Sequence, residues 1–70
     1  MTYQKDTELI TSYRQAGLTI RDLANLLQMA PGTVSGKLAG FSTPLDYSQR
    51  KKVLELCERA VKAQNAQTLL

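Results

Sequence analysis

Three breaks, at Gly17, Pro31 and Gly40, divide an otherwise helix-periodic sequence into pieces too short to be stable alone. Proline lacks an amide donor and fixes φ, so no helix can run intact through position 31, although a new one can start there. Glycine adopts a left-handed backbone at little cost, which is a common way for a helix to stop. Each segment must therefore bury an apolar face against the others. The material for that burial is aliphatic: 43% of the 70 residues are hydrophobic, 6% are aromatic and Trp is absent. A chain of this length makes one small core, read here as a single domain over 1–70.

Leu9, Ile10, Tyr13 and Ala16 follow helical spacing and predict a first helix from about Gln4 to Ala16. Gly17 ends it, with Leu18 packing back on Tyr13. Thr19 has the chemistry of an N-cap, Asp22 completes a short capping box, and Leu18 and Leu23 form a hydrophobic staple. The second helix then runs to about Gln28 with Ile20, Leu23, Ala24 and Leu27 inward. A third, Pro31 to Ala39, buries Val34 and Leu38 and stops at Gly40. Phe41 to Tyr47 reads as a loop in which Pro44 fixes a turn and Phe41 and Leu45 cover the core. Tyr3, Tyr13 and Tyr47 read as core edges. Asp46 or Ser48 caps a last helix with Val53, Leu56, Cys57, Ala60 and Val61 inward and the pairs Glu55/Arg59 and Glu58/Lys62 outward. Past Lys62 the periodicity fades, and 63–70 reads as a fraying tail. The expected fold is all-α, four short helices with room for a fifth turn.

The net charge of +3 lies entirely in the second half, because Lys5, Arg14 and Arg21 are balanced by Asp6, Glu8 and Asp22. That modest excess suits a polyanionic partner. With one cysteine, Cys57, and no histidine, neither an internal disulfide nor a Cys/His metal cluster can form, so no metal or cofactor is expected. No nucleophile and base are grouped, and an enzyme is not expected. The start, MTYQKDTELI, lacks the apolar stretch of a signal peptide and no run is long enough for a membrane span, which reads as a cytoplasmic protein with no membrane partner. No small-molecule ligand is expected either.

The stretch LTIRDLANLLQMAPGTVSGKLAG resembles the helix-turn-helix of the phage repressor and Cro-like family, whose lambda-repressor-like domains bind DNA. The likeness covers 18–44 well, with the helix-turn-helix over about 19–40. Ala24 fills the small-residue position where the two helices cross, Leu23, Leu27, Met29 and Val34 match the recurring apolar positions, and Thr33, Val34 and Ser35 match a frequent T-V-S. Gln28 stands where the family usually has glycine, and keeping the left-handed turn there costs about 1 kcal/mol. Lys37 replaces a usual apolar residue, with Leu38 serving instead. The resemblance implies double-stranded DNA as partner and places Ala30, Pro31, Gly32, Thr33, Ser35 and Gly36 on the base side. No Arg, Asn or Gln stands among them, so Ser35 and Thr33 are the available hydrogen-bonding readers and affinity should come from phosphates. Candidate phosphate contacts are Thr19, Arg21, Lys37, Ser42, Thr43, Gln49, Arg50, Lys51 and Lys52, foremost Lys37, Arg50 and Lys51. The function implied is transcriptional regulation, as a repressor of the kind phages and mobile elements carry, in the nucleoid of a bacterial or phage-infected cell. A homodimer is expected through Leu54, Val61, Leu69 and Leu70.

Two other readings stay open. The run from Pro31 to Ser35 and the helix after it also resemble the N-terminal DNA-binding domain of the target-binding ATPases of transposing phages, which would make this chain a weakly specific part of a larger protein. A helical protein-interaction module could use the same scaffold without nucleic acid.

Overall fold

The computed structural model describes residues 3–68, and side chains from 3 to 65. Within that span the chain is all-helical, with four helices: α1 (Thr7–Gln15), α2 (Ile20–Leu27), α3 (Pro31–Ala39) and α4 (Tyr47–Thr68). None of these is long and apolar enough to cross a membrane. One core joins them, made of Leu9, Tyr13 and Ala16 from α1 and its end, Leu23 and Ala24 from α2, Val34 and Leu38 from α3, Leu45 from the last loop, and Val53 and Cys57 from α4. In that core α1 packs on α3 and α4, and α2 also packs on α3 and α4.

The first three helices end alike. At each stop one residue turns left-handed, Gly17 (φ 77°), Gln28 (φ 57°) and Gly40 (φ 93°). The amide after it reaches back five residues, from Leu18 to Tyr13 O (2.9 Å), Met29 to Ala24 O (3.0 Å) and Phe41 to Gly36 O (2.9 Å). This is the Schellman arrangement, which satisfies carbonyls that a helix end would otherwise orphan. Gln28 keeps the geometry that favours glycine, as expected for that turn. Thr19 caps α2 through the expected box: its amide donates to Asp22 Oδ2 at 2.8 Å, and Asp22 N donates to Thr19 Oγ1 at 3.3 Å. Asp46, not Ser48, opens α4 with a second such box, exchanging bonds with Gln49 at 2.8 and 3.0 Å.

The structure corrects the expectations at several points. α1 begins at Thr7, not Gln4, because Asp6 caps it by accepting from Leu9 N at 3.3 Å. The residues before it lie along the end of α3, with Tyr3 N donating to Gly40 O (3.0 Å) and Asp6 N to Leu38 O (2.7 Å). α4 does not fade after Lys62 but runs through Thr68, and Gln64 Nε2 donates to the C-terminal end of α1 at Ala16 O (2.7 Å). A 22-residue helix spans about 33 Å, well beyond the small core. Of the residues expected to cover, edge or face that core, Leu45 and Tyr13 are buried, whereas Phe41 is 69%, Tyr47 80%, Tyr3 42% and Val61 37% exposed. Leu69 and Leu70 lie outside the described residues. Cys57 is buried, and desolvation pushes its thiol up, so at neutral pH it stays protonated and is a poor nucleophile.

These stops predict opposite responses at two of them. Gln28→Gly should stabilise the fold by about 0.5–1 kcal/mol in urea unfolding, because it relieves the left-handed backbone. Gly40→Ala should cost more than about 2 kcal/mol, since a Cβ there would run into the Tyr3 carbonyl as well as forcing φ.

Candidate nucleic-acid interface

Val34 and Leu38 hold α3 by one side, fully buried in the core with Leu23 and Ala24 of α2. The other side is open. Ala30, Pro31, Gly32, Thr33 and Ser35 are exposed and Gly36 is half-buried, so all the residues carried over as base-side positions fall on one solvent-facing surface. Two of them are glycines one helical turn apart, and no packing among the described residues requires them. A Cβ at Gly32 would meet nothing within 4 Å, and one at Gly36 would reach only Ser42 Oγ at 3.9 Å. Both have ordinary helical backbone. Glycine inside a helix costs roughly 0.5–1 kcal/mol relative to alanine, so this surface is kept bare at some expense in stability.

Polar and cationic groups border that surface on two sides. At the C-terminal end of α3, Lys37 Nζ donates to Thr43 O (3.1 Å), Thr43 Oγ1 donates to the Tyr3 hydroxyl at 3.5 Å, and Ser42 sits over Gly36. Along the α1 side, Ser35 lines a groove of about 350 Å³ with Lys5 and Arg14, over a floor that includes Ile10 and Ile20. Lys5 and Arg14 were not among the residues singled out in the sequence, where they lie in a stretch of zero net charge. Only the packing of α1 on α3 brings them beside Ser35. The surface also has no acid of its own, since no Asp or Glu occurs between Asp22 and Asp46. Gln49 Nε2 touches Met29 Sδ at 3.9 Å, so the first turn of α4 abuts the α2–α3 turn. Lys52 and Arg21 are exposed.

Other candidates are engaged elsewhere. The Thr19 hydroxyl donates to Asp22 (3.1 Å), whose carboxylate occupies the N-terminus of α2 where a phosphate would otherwise bind. The Gln49 side-chain oxygen is committed to the cap of α4, accepting from Asp46 N. Arg50 was among the foremost phosphate candidates, but its guanidinium pairs with Asp6 and Glu8 at the start of α1. The hydrogen bond to Asp6 holds Arg50 above its ordinary pKa. Because its folded value is raised, that contribution is present below the ordinary arginine pKa wherever the carboxylates are ionised, and on the alkaline side it is lost only in strongly basic solution. A cation in the first turn of a helix opposes the helix dipole, and the two carboxylates offset that repulsion from inside the protein. Lys51 lines a different groove with Glu8, Glu55 and Glu58, an acidic setting away from α3. Leu54 and Val61 are partly exposed on α4 beside this groove and its continuation.

No family model matches the sequence, and neither a curated protein nor a solved structure matches it.

Arg50→Ala should therefore act on the fold. We expect a loss of about 1–2 kcal/mol in urea unfolding, shrinking as salt is added, because the Asp6 partner is only 10% exposed while Glu8 is in solvent.

Proposed function

We propose that this chain binds double-stranded DNA by laying the Ala30–Gly36 face of α3 into the major groove, as a helix-turn-helix built from α2 and α3. The observation that carries this reading is the pair of glycines, Gly32 and Gly36, exposed or half-exposed on a helix face that the protein's own packing leaves unfilled. A side-chain-poor helix allows its backbone to approach a groove about 12 Å wide more closely than an ordinary helix can. Lys37 and the hydroxyls of Ser42 and Thr43 stand at one border and Lys5 and Arg14 at another, as phosphate contacts on either side of an inserted helix require. The absence of acid from 23–45 removes the repulsion that would oppose docking.

Such a face reads bases sparingly. Ser35 and Thr33 supply hydrogen bonds, and the Thr33 methyl or Ala30 can meet a thymine methyl. Most of the free energy then comes from phosphates and from DNA shape. Occupying a promoter suffices for repression, so a transcriptional repressor is the role that this arrangement fits best. The scarcity of readers equally suits a weakly specific DNA-binding domain of a larger protein, such as a phage transposition ATPase. Selection from a random DNA pool separates the two, with a sharp motif for the repressor and a flat profile for the other.

The decisive experiment uses the glycines. Gly32→Ala and Gly36→Ala should each stabilise the fold by about 0.5–1 kcal/mol while weakening DNA binding, an opposition that a purely structural role for these residues cannot produce. If both variants bind a DNA duplex as tightly as the parent in mobility-shift titrations, the α3 face is not the DNA surface. In the same assay Lys37→Ala should weaken binding to all sequences about equally and reduce the slope of log K against log salt by about 0.9, whereas Ser35→Ala should change preference at one or two base pairs.

A further inference from the structure

Two grooves of about 400 Å³ each meet along the flank of α4 that borders α1, and Leu54 lines both. Their upper rim is an apolar stripe at seven-residue spacing, Tyr47, Leu54 and Val61, which are 80%, 37% and 37% exposed. A helix drifts only about 20° per seven residues, so these side chains lie almost in line. Such a stripe is unusual on an otherwise charged helix and matches the seam of a paired helix.

The charges beside the stripe identify what covers it. Lys51 and Glu58 fall on the same side of that seam, one ahead of Leu54 and one beyond it. We infer that the groove between α1 and α4 is a dimer surface, on which α4 of a second copy lies antiparallel with Leu54 at the two-fold axis. In an antiparallel pair of helices, flanking positions on the same side of the two seams face each other, so Lys51 of each copy meets Glu58 of the other, twice by symmetry. Tyr47 of each copy packs beside Val61 of its partner. A parallel pair would instead leave each Lys51 facing the far flank of the partner seam, where Val53 and Ala60 turn into the core and offer no charge. Glu58 already pairs with Lys62 along its own helix at 3.1 Å, but both groups are exposed and such a pair is weak enough to be shared. DNA is a poor occupant here, because Glu8, Glu55 and Glu58 line the same groove.

This inference does not rest on DNA binding, and its test contains no DNA. Sedimentation equilibrium of the full chain over the micromolar to millimolar range should show a monomer–dimer equilibrium. Leu54→Glu should leave only monomer, with helix content unchanged and with thermal unfolding matching that of the wild-type chain at dilutions where the latter is monomeric. Lys51→Glu and Glu58→Lys should each weaken dimerisation about tenfold, and the double variant should restore it. A wild-type chain that stays monomeric throughout overturns the inference, as does a dimer that survives Leu54→Glu. Failure of the double reversal to restore association overturns the antiparallel arrangement.

Discussion

Asp6 is the residue on which the arrangement of helices turns. Its carboxylate accepts from Leu9 N to start α1 and from Arg50 to bring in the first turns of α4, while its own amide donates to Leu38 O at the end of α3. One side chain and its peptide thus connect three helices at a point where each has unsatisfied groups. The geometry has a physical economy: a helix N-terminus needs an acceptor, a helix C-terminus needs a donor, and a cation in a first turn needs an anion. Asp6 answers all three. Because the segment from Tyr3 to Asp6 is bonded to the last carbonyls of α3, that helix is held at its C-terminal end as well as by Val34 and Leu38.

A helix held in this way can give up side chains on its free face. α3 carries two glycines and a proline among nine residues, a composition that would not sustain a helix in isolation. Tertiary packing and the two ends supply what propensity lacks, and what is gained is a smooth, acid-free surface. The same division runs through the charges. Positive groups that serve the fold, above all Arg50, are matched to carboxylates inside the molecule, whereas Lys5, Arg14 and Lys37 remain grouped around α3. Net charge alone would not have separated the two sets.

α4 joins these parts. Its inner face closes the core through Val53 and Cys57, its first turn abuts the α2–α3 turn through Gln49, and Gln64 reaches the end of α1. The outer stripe from Tyr47 to Val61 is not part of that core and lies at the surface.

What could be read from the residues alone was local. The left-handed stops at Gly17 and Gly40, the Thr19–Asp22 box, the break at Pro31 and the buried pair Val34 and Leu38 all depend on groups within about one helical turn, so residue type and spacing define them. The left-handed backbone at Gln28 was expected only through the resemblance to a family that usually has glycine at that turn. What only the tertiary structure decided was which distant groups meet. Arg50 finds Asp6 and Glu8 across more than 40 positions of chain, Lys5 and Arg14 arrive beside Ser35, and Gln64 extends α4 by holding the end of α1. Long side chains on exposed helices reach many partners with similar energy, and periodicity does not choose among them; the packing angles of whole helices do.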